Sequence, residues 1–472
     1  MSSVPSDETL ALGAAQPATK RKILAWAMWD WGMQPFATVI VTFVFAVYIV
    51  SDGFGPSDRS TLALAVAITA AGVVVALVAP VLGQNSDRSG RTMLNLRILT
   101  YAIAGLTALL FFIKPHPSYL LPGLVILGIG IIVHEIGVVN YNSTIEEVAG
   151  QRNVGRISGF GWGFGYMGGI VVLLVINFAF ISPDVGLFGV TSADGLSIRV
   201  SMLVCAAWML IFTAPIFASL KDKPQTPKVR VNPWAHNNPT WLWAVIGPVA
   251  VAYRDLGISI AHLWRTSRQT AWFLLASALF RDGLAAVFSF GGVLAASTFG
   301  FSPGEVIMFG AAANIAAGLS TITFGLLDDR LGPRRVILLS LGALVVLGMT
   351  IFALHDRGPW VFWVFGMGMT LFVGPAQAAS RSYLARLIPV GRSGQIFGLY
   401  ATTGRVVSFI SPALFWLAIV IGEALCHTRD GMQYWGILGI VIVLLAGLVA
   451  MFAVKEHHQA SFSGAPVATA TV

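Results

Sequence analysis

Twelve apolar runs, each near the length needed to cross a bilayer, dictate what this chain can become. A hydrocarbon core of roughly 30 Å takes about 20 apolar residues in a helix. Inside it every backbone N–H and C=O must be satisfied within the protein. The runs fall at 24–50, 61–83, 95–113, 119–141, 156–182 and 197–220, then at 270–297, 304–327, 336–355, 359–379, 394–422 and 433–455. Turn chemistry marks many of the breaks, as at Asp52-Gly53, Pro115-His116-Pro117, Ser182-Pro183-Asp184 and Gly358-Pro359. The expected fold class is all-α integral membrane, with twelve transmembrane helices and both ends on one side. Segment 1–23 reads as a disordered arm, 24–220 as an N-terminal six-helix bundle, 270–455 as a C-terminal six-helix bundle and 456–472 as a disordered tail.

The connection 221–269 opens with Lys221-Asp222-Lys223-Pro224 and is basic, as a cytoplasmic linker should be. Its stretch Trp241 to Tyr253 is apolar enough to suggest a thirteenth span. At 1.5 Å per residue it reaches only about 20 Å, and Pro248 interrupts it. It reads as an interfacial helix continuing to Trp264 and Arg265.

Composition excludes the soluble classes. Hydrophobic residues make up 56% and charged residues 11% of the 472, against about 25% charged in a soluble domain. The net charge of +8 is not a nucleic-acid signal. Lys and Arg concentrate on the side of the termini, leaving mainly Arg59, Lys114, Arg199, Arg357 and Arg429 opposite. That asymmetry predicts cytoplasmic termini in the inner (plasma) membrane, with attraction for anionic lipid. Residues 1–20 lack a signal-peptide core, so the first run is expected to stay as an uncleaved helix. Cys205 and Cys426 have no ligand spacing, and neither a metal nor a cofactor is expected.

One charged segment occurs twice at matching places. Gly83-Gln84-Asn85-Ser86-Asp87-Arg88-Ser89-Gly90-Arg91 follows the second run, and Gly325-Leu326-Leu327-Asp328-Asp329-Arg330-Leu331-Gly332-Pro333-Arg334-Arg335 follows the eighth. Each has Gly, then Asp-Arg, a spacer and Gly, and reads as a short hinge between helices. A second echo pairs Gly155-Arg156-Ile157-Ser158-Gly159 at the fifth run with Gly394-Gln395-Ile396-Phe397-Gly398 at the eleventh. Polar loops are expected just before each, Asn142 to Asn153 and Arg381 to Arg392. The doubled Asp-Arg-Gly segment resembles the signature of the major facilitator superfamily of transporters, whose two six-helix halves are parallel repeats. That resemblance implies the major facilitator fold, alternating access and a gate. Asp87 would meet the start of the eleventh helix near Gly394, and Asp329 the start of the fifth near Gly155. Gly83, Arg88, Gly90, Arg91, Arg330 and Gly332 complete the gate set.

The first run narrows the likeness. Ala25-Trp26-Ala27-Met28-Trp29-Asp30-Trp31-Gly32-Met33-Gln34-Pro35-Phe36 is similar to the opening of the vacuole-effluxer-like branch. Phe280-Arg281-Asp282-Gly283, Gly159-Phe160-Gly161-Trp162-Gly163, Gln377-Ala378-Ala379-Ser380-Arg381-Ser382 and Leu387-Ile388-Pro389 resemble it too. Trp29 and Gln34 depart from the pattern, where Tyr and Asn or Ser are expected. The resemblance implies an ion-coupled or facilitative carrier, an amino-acid exporter like the fungal vacuolar members being the leading reading. A sugar or drug-like cation carrier, or an uncoupled facilitator, is the alternative. A non-transporting sensor is a remote one.

Ionisable groups at membrane depth are functional candidates because they are costly to hold there. The expected solute and proton pathway comprises Asp30, Gln34, His134, Glu135, Trp162, Arg281, Asp282, Gln377 and Arg405. Arg405 or Arg281 is expected to meet a substrate carboxylate, with Asp30 or Glu135 meeting an amine or a proton. Arg281 and Asp282 fit buried structural ion pairs equally well. Glu135 is the leading proton carrier, since no cation stands near it in sequence. Trp26, Trp29 and Trp31 read as an interfacial belt, and the glycines of the fifth run as a close-packed sliding surface. No nucleophile–base set, His-rich helix or phosphate loop appears, which argues against an enzyme or an ATP-driven pump. The partners expected are a small-molecule solute, protons and membrane lipids, the carrier acting as a monomer.

Overall fold

The computed structural model describes residues 19–150, 153–222, 254, 264, 268–388, 392–428 and 431–454. Among the described residues there are twelve helices long and apolar enough to cross a membrane, and no strands. They are α1 (Lys20–Ile49), α2 (Ser57–Ser89), α3 (Thr92–Phe112), α4 (Pro117–Ala149), α5 (Val154–Ile181) and α6 (Ala193–Ser219). The second half supplies α7 (Arg268–Ser297), α8 (Gly304–Leu331), α9 (Pro333–Ala353), α10 (Pro359–Leu387), α11 (Ser393–Cys426) and α12 (Met432–Phe452). The expected interfacial helix over 241–265 lies outside the described residues apart from Arg254 and Trp264.

Several boundaries differ from the sequence reading, the larger differences by helix extension. The first helix starts at Lys20 instead of residue 24, absorbing a basic turn. The repeated charged segments are not hinges: α2 continues to Ser89 and α8 to Leu331. The chain leaves the helix only at Gly90 and Arg91 in the first copy and at Gly332 in the second, with Gly90 at φ +65 and Gly332 at φ +87. That left-handed backbone suits glycine, which lacks a Cβ. The polar loop expected from Asn142 is largely helical, since α4 runs on through one short segment, Ile145–Ala149. Arg381 is not a loop residue either, because α10 extends to Leu387. Polar side chains there satisfy the local helix while facing other helices, so their polarity was no sign of a break.

Local chemistry explains other features. Ser302 caps α8: its hydroxyl accepts from Glu305 N at 3.3 Å, and the Glu305 carboxylate accepts from Ser302 N at 2.8 Å. In α1, Pro35 is followed by a π-helical stretch, Phe36–Phe43. Proline removes a backbone donor, and such widened turns occur disproportionately at functional sites.

The helices pack as two similar halves. In the first, α1 lies on α6, α2 on α4, and α3 on both α4 and α6; in the second, α7 lies on α12, α8 on α10, and α9 on both α10 and α12. Each half is tied at the same corner. Asp222, just after α6, accepts from Met93 N at the start of α3 at 2.7 Å. Arg334, at the start of α9, donates through Nε to the Val454 carbonyl after α12 at 2.6 Å. The halves meet mainly along α2 with α11 and α5 with α8. Since twelve crossings return the chain to the side it left, both of these corners lie on what we call the terminal side.

Candidate functional site

The halves touch at two latches on the terminal side. The Asp87 carboxylate accepts from the backbone N–H of Gly394 and of Gln395, each at 2.8 Å. The Asp329 carboxylate accepts from the N–H of Gly155 and of Arg156, each at 2.9 Å. These are otherwise unsatisfied first-turn donors of α11 and α5, where the helix dipole favours an anion. Both latches require near contact of backbones. A Cβ on Gly83 would run into the Gly394 carbonyl, and one on Gly159 would meet the Thr321 carbonyl oxygen and Gly325. The remaining cations of the repeat, Arg88, Arg91 and Arg330, are exposed at this side.

Deeper in lies a cage that the sequence reading did not assemble. Arg381, only 3% exposed, sits on α10 and crosses into the first half. Its Nε donates to Ser158 Oγ at 2.9 Å and its Nη2 to the Ser158 carbonyl at 2.7 Å. Nη1 donates to Asn142 Oδ1 at 3.2 Å and pairs with Asp30 at 3.5 Å. Asp30 also accepts from the Tyr141 hydroxyl at 2.9 Å. The guanidinium lies 5.1, 5.8 and 5.7 Å from the rings of Trp26, Tyr141 and Trp162, within cation–π range.

Trp26 and Trp29 are therefore core residues and not an interfacial belt. Their indole N–H groups donate to Thr144 and Thr100 at 3.0 Å, and the two rings stack on Tyr141. Gln34 shares the Asp30 face, both lying close to Gly165 on α5. Trp162 is committed to the cage wall, and half-buried Gln377 stands one turn before Arg381 on the same face of α10.

A second ion pair joins the halves nearer mid-membrane. Glu135 of α4 accepts from Arg405 Nη2 of α11. Arg405 lies 12 residues past the start of α11, about 18 Å along its axis. The expectation that Glu135 stands without a cation fails, because its partner comes from a helix 270 residues away. Arg405 is correspondingly occupied by Glu135 in this conformation, and not open to a solute. His134 stacks on Phe36 with ring centroids 5.1 Å apart. Among the described residues, Arg281 and Asp282 form no ion pairs with neighbouring helices. Arg281 donates to the Tyr400 carbonyl at 2.8 Å and lies 3.7 Å from the Tyr400 ring centroid. Asp282 accepts from Ser411 N at 2.7 Å, anchoring α7 to a break in α11. Arg281 is thus the central cation that has no carboxylate within ion-pair distance among the described residues.

Two further charges escaped the sequence reading. Arg386 of α10 reaches Asp328 at 3.1 Å and Asp329 at 2.8 Å. Asp328 is 1% exposed, so the first acid of the Asp-Asp pair is as structural as the latch aspartate that follows it. Arg386 falls inside the polar loop expected from Arg381 to Arg392, and Arg381 is its first residue and part of the Gln377–Ser382 resemblance. An i, i+4 continuation of the α10 pattern through Tyr383 and Leu384 was the signal that could have kept them in the helix.

An all-α architecture of two similar six-helix halves, latched by Asp at helix N-termini, defines a major facilitator transporter. The solved structure of the proton:xylose symporter XylE shares the fold, with a TM-score of 0.66 over 92% of this chain and 96% of that one at 14% identity. The chain belongs to the vacuole effluxer Atg22-like family, whose model matches residues 54–461. It is 22% identical to the uncharacterized MFS-type transporter YxiO of Bacillus subtilis, over 93% of this chain and 96% of that protein. It is 24% identical to Autophagy-related protein 22 of Yarrowia lipolytica over 69% of its own length, spanning 55% of the fungal protein. These relatives place the chain among membrane transporters and not enzymes.

Proposed function

We propose that this protein is a proton-coupled carrier that exports a small carboxylate-bearing solute, an amino acid first among them, by alternating access. The observation that carries the proposal is the Glu135–Arg405 pair, which bridges the halves beside the carboxylate-poor Arg281. A buried or half-buried pair resists losing one partner, because the other is left uncompensated. A solute carboxylate arriving on Arg281 and Arg405 replaces Glu135 there, and Glu135 then takes a proton. Solute anion and proton bind together, so the net charge of the site is unchanged and each favours the other. Export on this scheme runs down the outward solute gradient and carries a proton out with it. The solute amine is left to Asp30 or to Gln34 and Gln377, toward the closed end.

Asp30–Arg381 acts in the same way on the gate. Protonation of Asp30 removes the only carboxylate paired with Arg381 among the described residues and loosens α10 from the first half. The Asp87 and Asp329 latches close the terminal side in this conformation. The cation asymmetry supports a cytoplasmic terminal side in the plasma membrane, so the solute site faces outward here. The effluxer name of the family supports export. The geometry is complete in one chain, which supports a monomer.

The test is flux in proteoliposomes containing purified protein. A labelled amino acid moving with an imposed proton gradient, reduced about tenfold or more in Glu135→Gln while gradient-free counter-exchange survives, is the expected outcome. Flux that ignores the gradient and persists in both Glu135→Gln and Asp30→Asn overturns the coupling. No flux for any amino acid overturns the solute class.

A further inference from the structure

On the membrane-facing flank of the closed gate lies a cavity of about 530 Å³ whose lining holds none of the proposed solute-pathway residues. That is within the usual range of small-ligand sites, about 300–1,000 Å³. It is walled by the start of α1, the end of α4, the start of α5 and the end of α8. The wall is apolar, with Leu24 and Phe160 from the first half and Ile322 and Leu326 from the second. Its charged lining residues are Lys20 and Arg156, both cationic and both exposed. Neither side chain has an ion-pair partner among the described residues. Glu146 and Glu147 precede this wall on the end of α4 and are engaged in other interactions.

Two cations at the mouth of an apolar slot, level with the membrane surface, complement one kind of molecule. The ligand must carry an anionic head and a hydrocarbon body. We propose that the cavity binds an anionic phospholipid of the adjoining leaflet, its phosphate between Lys20 and Arg156 and an acyl chain along Phe160 and Leu326. The slot has walls from both halves, so it exists only while α5 and α8 are together. Arg156 also gives its backbone N–H to Asp329 at 2.9 Å, so the headgroup sits beside the second latch. An occupied slot therefore holds the terminal side closed, and the charge of the leaflet sets the resting conformation of the carrier. This inference does not depend on which solute is carried.

The test uses the full chain in nanodiscs of phosphatidylcholine containing increasing phosphatidylglycerol. Lipid retention is read by native mass spectrometry. The gate is read as spin-label distances between Leu94→Cys on α3 and Leu339→Cys on α9, with exposed Cys426 replaced by Ser. Phosphatidylglycerol is expected to be retained over phosphatidylcholine and to raise the closed population about threefold. The Lys20→Gln/Arg156→Gln variant should lose about tenfold in retention together with the gate response, while keeping the backbone bond to Asp329. Leu326→Trp, which fills the slot without changing charge, should do the same, whereas Lys22→Gln should not. Equal loss in Lys22→Gln, or a Leu326→Trp variant that responds like the parent, overturns the site in favour of diffuse surface attraction. The same closure produced by inorganic phosphate without anionic lipid also overturns it. So does much tighter lipid retention on deleting residues 2–18, since the chain's own arm would then be the occupant.

Discussion

The two latches look alike in sequence but are held by different chemistry one residue away from the shared aspartate. At the first, the residue before Asp87 is Ser86, which donates to Asn140 Oδ1 at 2.7 Å and accepts from Asn95 Nδ2 at 2.6 Å. That is a buried, neutral hydrogen-bond network inside the first half. At the second, the residue before Asp329 is Asp328, buried and paired with Arg386. Arg386 also reaches Asp329 itself, so the second latch is tied electrostatically to α10, the helix that carries Arg381 and Gln377. A duplicated unit has kept its geometry at the interface and diverged in its support. Opening the second latch redistributes a buried charge pair, Asp328 with Arg386.

The strongest way to break this comparison is Arg386→Ala. It leaves Asp328 buried without its partner, a change of about 3–5 kcal/mol when a buried pair is broken on one side. Spin-label distances across the terminal side should show the closed state largely lost, and unfolding in detergent should shift down. Adding Asp328→Leu to Arg386→Met should restore most of the stability, because the charge is then removed from both sides. Next comes Asp329→Asn, which removes both the charge at the α5 N-terminus and the Arg386 contact. It should lower the closed population more than Asp87→Asn does. Asp87→Asn keeps an acceptor oxygen and weakens the charge–dipole component, about 1 kcal/mol or roughly fivefold in population. Equal effects of these two substitutions would show that Arg386 adds nothing to the second latch. The smallest effect is expected for Ser86→Ala, about 1 kcal/mol in thermal unfolding with little change in flux. A Ser86→Ala loss as large as that of Arg386→Ala would erase the distinction.

The parts of the molecule legible from the chain were those that repeat or that face lipid. Twelve spans follow from run length, and the kinship of α2 with α8 and of α5 with α11 follows from echoed glycines and aspartates. Asp87 and Asp329 could be sent to Gly394 and Gly155 because the resemblance to the major facilitator superfamily implies those meetings, and an acid at a helix N-terminus is favoured there. The Arg386 pairing, the Arg381 cage and the Glu135–Arg405 pair were not legible. Arg381 and Arg386 were read as loop residues because Pro389 and neighbouring cations drew the end of α10 too early. Glu135 was read as isolated because its cation stands far along the chain. Trp26 and Trp29 were read as interfacial because indoles near a helix end usually are, whereas here a partner ring, Tyr141, draws them inward.

What the sequence by itself determined is the bilayer-spanning, duplicated architecture, because hydrophobic length and repeated backbone chemistry act locally and need no knowledge of neighbours. What only the tertiary structure decided is which charges compensate which. A carboxylate at membrane depth must find a cation, yet many arginines satisfy that demand in principle. Only the packing of α4 on α11, and of α1 and α5 on α10, selects Arg405 for Glu135 and Arg381 for Asp30.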